Sequence, residues 1–408
     1  MKLLLITQYF PPEVGAPQNR LSELALRLIK EGVEITVLTA MPNYPQMEIH
    51  KEYLGKKYCE DQFYDCKVYR SAIYVSKSKS IAARLRNYLS FVWSSYRCGA
   101  TKIKGDFDAV FCESPPLFLG ISAYFIAKKK KAKFIFNVSD LWPESAEKLG
   151  IVKNNLFLKA ATILEEFLYK KAALITGQTK GITNNISSRF PSKKVYWLPN
   201  GVDLKFYDPA NFSDNWRIQN NFKSDDVLFL YGGILGYAQG LELIIHTANE
   251  LKDHPKIKFI LLGSGPEKEK LLALKEKLLL DNVIFMNPVP KDQMPSIISS
   301  IDCSIVPLKK LDLFLGAIPS KIFECLSMET PILLGVDGEA KGLFIDDADA
   351  GIYFEPENIQ ALKNGVLKLA MDNKLRKKMG ENGRIYVNDY FNRNQIAKEL
   401  KSCLEDLF

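Results

Sequence analysis

The apolar positions of this chain come in short runs bounded by glycine or proline, and most runs are followed by a stretch with helical spacing. Residues 2–7 (KLLLIT) are apolar and stop at Pro11-Pro12, which predicts a buried strand running into a loop. From Gly15 and Ala16 the period changes. Leu21, Leu24, Ala25 and Leu28 share one helical face, Gly32 ends the pattern, and residues 33–39 form the next apolar run. Strand, loop, helix and strand in that order make a parallel βαβ unit.

The same alternation continues to the end of the chain. Strands are predicted at 109–113, 133–138, 173–176 and 194–198, with helices after Pro115-Pro116 and over 155–172. A second series follows. Residues 227–231 run into Gly232-Gly233, residues 258–262 run into Gly263-Ser264-Gly265-Pro266, and 283–286 and 303–306 are further strands. Ile396, Leu400, Leu404 and Leu407 close the chain at helical spacing. The fold class is α/β, with two Rossmann-like doubly wound sheets. Pro191, Pro199, Asn200 and Gly201 cluster at the junction, so the expected domains are 1–195 and 196–385, with a terminal helix over 386–408.

Length and composition agree with this. The 408 residues suit two large domains at about 150 or more residues each. With 47% hydrophobic and 25% charged residues, disorder and fibrous repeats are excluded. The net charge of +8 is uneven: residues 1–200 hold 30 Lys+Arg against 17 Asp+Glu, whereas 201–408 hold 25 against 30. A basic first half points to an anionic partner. The segment 66–105 has nine Lys/Arg and no acidic residue, and it places Leu85, Tyr88, Leu89, Val92, Trp93 and Tyr96 among Arg84, Arg86 and Arg97. That composition fits either a helix docked on an anionic lipid surface or a core-facing helix with a solvated basic edge. The Lys128–Lys131 run would add to such a patch. No nucleic-acid-binding pattern accompanies the charge. The seven cysteines are odd in number and form no CxxC, and there are three histidines, so reduced thiols and no metal site are expected. No signal peptide and no run of ~18 apolar residues is present, so the protein is expected to be soluble or peripheral.

Three small-residue loops fall at predicted strand ends: Gly15-Ala16, Gly232-Gly233 with Gly236, and Gly263 with Gly265. Each alone is an ordinary tight turn; three at the ligand edge of two sheets point to an anionic ligand approached by backbone N–H groups. Neither GxGxxG nor GxxxxGK[ST] spacing is met. In Pro319-Ser320-Lys321-Ile322-Phe323-Glu324, Lys321 and Glu324 share a helix face. They suit an exposed ion pair, or a cation for a diphosphate beside a carboxylate for ribose hydroxyls.

Several segments taken in order resemble the retaining GT-B glycosyltransferases of family 4: TQYFPPEVGAPQNRLSELALRL, FNVSDLWPES, LPNGVDLKFY, YGGILGYAQGLELII, LLGSGPEKEKL and PSKIFECLSMETPIL. DLWPES, AQGLE and PSKIFE are similar to the branch that moves N-acetylated amino sugars in O-antigen and capsule assembly. The resemblance implies two Rossmann-like domains facing a cleft, able to close near Asn200-Gly201, with a terminal helix crossing back onto the first. It implies a UDP-sugar donor on the second domain. Gly232 and Gly233 would lie by the diphosphate, Ser320 and Lys321 would hold its charge, Glu324 would meet the ribose, and Val289 and Pro290 the base. Gly15 and Ala16 would face the donor from the first domain. It further implies a polyprenyl-diphosphate-linked acceptor, a site on the cytoplasmic face of a bacterial membrane reached through Arg84, Arg86, Trp93 and Arg97, and no cofactor or metal. The chain departs from the family where many members hold a first Glu, here Gly316. It departs again where a basic residue follows the glycine loop, here Tyr237 and Ala238, and where a first-domain His is common, here Ser139 and Asp140. Asp140 is thus the candidate to orient or deprotonate an acceptor hydroxyl, or else a helix cap. Glu144 is a second candidate. With no paired carboxylates evident, transfer on the leaving-group face, with Lys321 stabilising the leaving diphosphate, is the expected route. A UDP-N-acetylhexosamine 2-epimerase and a catalytically idle sugar-nucleotide-binding subunit are the alternatives.

Overall fold

The apolar runs pair edge to edge into two sheets, as seen in a computed structural model that describes the chain apart from Val14, Lys79, Leu149, Ile151, Lys153 and Asp214, and apart from the side chains of Ala16 and Ile81. The first sheet comprises β1 (Lys2–Ile6), β2 (Glu34–Ala40), β3 (Tyr58–Phe63), β4 (Cys66–Ser71), β5 (Ala109–Ser114), β6 (Lys133–Val138), β7 (Leu174–Gly177) and β8 (Val195–Trp197), in the order β3-β4-β2-β1-β5-β6-β7-β8. Only the β3–β4 pairing is antiparallel among these. The second sheet comprises β9 (Val227–Gly232), β10 (Ile257–Leu262), β11 (Val283–Met286), β12 (Cys303–Pro307), β13 (Ile332–Gly335) and β14 (Gly351–Tyr353). Its order is β11-β10-β9-β12-β13-β14, and every pairing is parallel.

Parallel strands covered by helices on both faces must be apolar at successive positions. In β1, Leu3 and Leu5 pack with Leu21, Ala25 and Leu400 on one face, while Leu4 and Ile6 pack with Phe91, Phe136 and Leu168 on the other. In β9, Phe229 and Tyr231 face one core and Leu228 and Leu230 the other. Burying such side chains is worth about 1.5–3 kcal/mol each, which is what holds the layers together.

The β3–β4 hairpin, β13 and β14 were not expected from the pattern. β3 is an edge strand with alternating, partly exposed residues, and β14 is a three-residue edge, so neither carries the continuous apolar run that marks a central strand. β13 (ILLG) has that run, but it sits directly behind the Lys321 motif and reads there as part of it.

The chain divides into two compact units, residues 1–200 with 393–408, and residues 201–392. The changes of unit thus fall after Asn200 and Asn392, where changes after 195 and 385 were expected. The Asn373–Phe391 helix stays with the second unit because Phe391 packs its ring against Phe323 and Phe344. The Arg393–Glu405 helix belongs to the first unit: Ile396, Leu400 and Leu404 enter its core, and Arg393 pairs with Glu23 and donates to the Asn200 carbonyl at 3.1 Å.

Candidate functional site

In each sheet the strand order reverses at one point, between β1 and β5 and between β9 and β12, and ligands of open α/β sheets bind beyond the C-terminal strand ends at such points. In the second unit the loops there are built on glycine. Gly263 has φ +151°, and a Cβ on it would lie 1.8 Å from the Gly233 carbonyl oxygen; a Cβ on Gly265 would lie 2.3 Å from that of Leu235. No side chain fits at either place. The two loops are laced by backbone bonds from Gly233 N–H to Leu262 O and from Leu235 N–H to Ser264 O, both 2.9 Å. Beneath them the buried Tyr231 donates its hydroxyl to Ile234 O at 2.6 Å.

Lys321 completes this platform. It opens the Lys321–Ser327 helix, and its ammonium lies 3.8 Å from the centre of the Tyr231 ring. It also stands where a Gly233 side chain would begin: a Cβ there would be 3.2 Å from Nζ. The exposed ion pair is therefore not what forms. Among the described residues no carboxylate pairs with this ammonium, and burial pushes its pKa down to about 8, with Glu324 a smaller opposing influence. Glu324 is half-buried on the same helix face, Ser320 precedes the helix and is exposed, and Gly232 lies near Met294. Val289 packs half-buried on the core beside Ile297, and Pro290 is exposed.

In the first unit Gly15 caps the Ala16–Lys30 helix, and its carbonyl accepts from Asn19 N–H at 3.0 Å. Asp140 lies half-buried just past β6, accepting from Ser145 Oγ at 2.8 Å and from the Leu141 N–H, while burial raises its pKa. Glu144 pairs with Lys148 at 2.7 Å. Beside Asp140 is a polar cluster absent from the sequence-based candidates. Glu113, at the end of β5 and 2% exposed, accepts from Arg20, Asn137 and Ser139. Arg20 also donates to Ser139 Oγ at 2.8 Å and, with the Gln178 amide turned to satisfy its neighbours, to that amide's oxygen at 2.8–2.9 Å. The signal that could have found it is a lone carboxylate at the end of a buried strand, which demands a buried partner. Arg84, Arg86, Trp93 and Arg97 lie elsewhere, exposed along the Ile81–Thr101 helix.

An ammonium whose pKa falls from 10.5 to about 8 on folding opposes folding at pH 7, and the opposition fades as pH rises through 8 towards 10.5. Lys321→Met should thus be at least as stable as the parent at pH 7 in chemical denaturation, with the difference narrowing as pH rises from about 8 towards 10.5; a marked loss of stability at pH 7 would show the ammonium to be a structural tie.

Two family models match the chain, one described as Glycosyltransferase Family 4 over residues 18–206 and one as Glycosyl transferases group 1 over residues 212–386. The Escherichia coli K12 protein named putative colanic acid biosynthesis glycosyl transferase WcaI is 25% identical over 374 residues, covering 90% of this chain and 91% of its own. Sucrose-phosphate synthase of Thermosynechococcus elongatus shares the fold with a TM-score of 0.75 at 16% identity, over 100% of this chain and 99% of that one. HepE of Anabaena, solved in complex with UDP-glucose, does so with a TM-score of 0.72 at 14% identity over 100% of both chains. With the two glycosyltransferase models adjoining across nearly the whole sequence and the two-sheet fold shared with these solved structures, the chain is a glycosyltransferase.

Proposed function

We propose that this protein is a retaining glycosyltransferase that takes a sugar, an N-acetylated amino sugar such as N-acetyl-L-fucosamine, from a UDP-sugar and passes it to a polyprenyl-diphosphate-linked saccharide in O-antigen or capsule assembly. The observation that carries this reading is the Lys321 ammonium, lodged over Tyr231 against the glycine platform with no carboxylate paired to it among the described residues. A cation kept there at a cost to stability suits a polyanion that the backbone can approach closely. The name of WcaI, which places that protein in colanic acid biosynthesis, and the UDP-glucose held by HepE support the same direction.

In the proposed reaction the bond between the sugar's anomeric carbon and the diphosphate oxygen breaks, and a bond to the acceptor oxygen forms on the same face. The hydroxyl proton passes to Asp140 or to the leaving diphosphate. Burial raises the pKa of Asp140, and its carboxylate accepts from Ser145 Oγ and the Leu141 N–H. Lys321 offsets the charge that develops on the diphosphate, the largest contribution expected in such a site. Gly232, Gly233, Ser320, Glu324, Val289 and Pro290 hold the donor in this scheme, with Gly15 and Ala16 contributing from the first unit. Protein cations, and no metal or other cofactor, meet the charge.

The acceptor's lipid calls for a surface at which the enzyme meets a membrane, the cytoplasmic face of the bacterial inner membrane in this reading. No described helix is long and apolar enough to cross one. On the Ile81–Thr101 helix Leu85, Tyr88, Val92 and Tyr96 turn inward to half-buried positions, while Leu89 and Trp93 stay exposed between Arg84, Arg86 and Arg97. The apolar surface extends across neighbouring helices: Tyr96 meets exposed Phe125 at 6.4 Å between ring centres, Phe125 meets Tyr124 at 5.2 Å, and Tyr124 meets exposed Phe167 at 5.4 Å. Exposed aromatics edged by arginine and by Lys128 and Lys129 suit an anionic interface, at about 1 kcal/mol per cation.

UDP at ~100 times its dissociation constant should stabilise the protein by about 2.7 kcal/mol, with GDP, ADP and NAD giving less and Lys321→Ala giving none. The effect should be full below pH 8 and weaken as pH rises through it; a shift with NAD and none with UDP would overturn the reading. In sedimentation with vesicles, the protein should follow anionic but not neutral lipid, and replacing Trp93 and Arg97 together by Ala should weaken that binding about tenfold; indifference to lipid charge would remove the membrane from the account.

A further inference from the structure

The loops after β9 and β12 flank the point where the second sheet's order reverses, and the departure from the family at Tyr237 and Ala238 lies in the first of them. Where many relatives hold a cation after the glycine loop, this chain has a tyrosine, 68% exposed. The cation comes from the other loop. Lys309, two residues beyond β12, places its ammonium 3.1 Å from the centre of the Tyr237 ring. Its backbone N–H donates to Ala238 O at 2.9 Å, and its Cγ lies against Gly240, where a Cβ would come within 3.3 Å of it. The base of the side chain is thus fixed to the glycine loop while its end rests on a ring face.

The neighbouring Lys310 behaves differently. Its ammonium binds Glu355 at 2.6 Å and its backbone N–H binds Glu357 at 3.0 Å, so it is drawn away to the strand-edge loop at 355–357. Among the described residues Lys309 has no carboxylate within ion-pair distance; the nearby Glu242 is taken by Lys270 at 2.6 Å. An ammonium held only by an exposed ring is weakly held, and a phosphate oxygen makes a far stronger partner for it.

We propose that Lys309 is a second diphosphate-binding cation of the donor site, kept at the mouth of the glycine loop by Tyr237 and transferred to a donor phosphate oxygen when the nucleotide sugar binds. The proposal rests on the nucleotide-sugar reading above, and it assigns to the β12 loop the charge that the family resemblance assigns to the glycine loop. The ligand class it recognises is a nucleoside diphosphate or its sugar ester; a nucleoside without phosphates is indifferent to it.

The test is calorimetric titration of the full chain with UDP and with uridine, for the parent, Lys309→Met, Lys309→Arg and Lys321→Ala. Lys309→Met should bind UDP about tenfold more weakly, Lys309→Arg should recover most of that loss, and uridine should bind parent and Lys309→Met alike. An equal loss for uridine would show a displaced loop and overturn the proposal. Parent-like UDP binding by Lys309→Met, with binding lost in Lys321→Ala, would overturn it while leaving the donor site intact. Absence of UDP binding in the parent would bring down both readings.

Discussion

The strand-end loops of the second sheet depend on one backbone contact, the passage of Gly263 directly against the Gly233 carbonyl. Because neither loop carries a side chain at that crossing, the loops beyond β9 and β10 pass close enough for Gly233 N–H to reach Leu262 O and Leu235 N–H to reach Ser264 O. The Lys321 ammonium packs beside Gly233, where a Cβ would come within 3.2 Å of it. Tyr231 then closes the floor, offering a ring face to the cation and satisfying its own buried hydroxyl on Ile234. Loop geometry and cation position come from the same local arrangement, and a larger residue at Gly263 would force the two loops apart.

The first unit solves a different problem. Its strand ends carry a carboxylate, Glu113, that is almost fully buried, and a buried charge is tolerated only when paired and hydrogen-bonded. Arg20 supplies the pair, and Asn137 and Ser139 supply the bonds, which fixes the end of β6 next to Asp140. That pairing accounts for polar residues where the strand pattern alone would favour apolar ones.

Much of this was legible in the sequence, for physical reasons. Central parallel strands need continuous apolar runs, so β1, β5, β6, β9 and β10 stood out, while the one-sided edge strands β3 and β14 did not. The three glycine loops, Lys321 and Glu324 could be named because small residues and opposite charges at fixed spacing carry their chemistry locally. What Lys321 faces could not be named: its ion-pair and anion-site readings differ only in side-chain direction, which tertiary packing decides. Glu113 with Arg20, and Lys309 with Tyr237, lie 93 and 72 positions apart in sequence, so each pair exists only once the sheets have formed.

The central claim is that the Lys321 ammonium is the seat of the donor's charge, and proton exchange on binding reports it most directly. At pH 8 a group with a pKa of about 8 is half charged, and a diphosphate beside it would drive it to full charge. Titration of the protein with UDP at pH 8, in buffers of different ionisation enthalpy, should therefore show uptake of about half a proton per UDP bound, falling to near zero at pH 6.5. UDP binding at pH 8 with no proton uptake would contradict the account, because it would mean that the anion is received somewhere other than at Lys321.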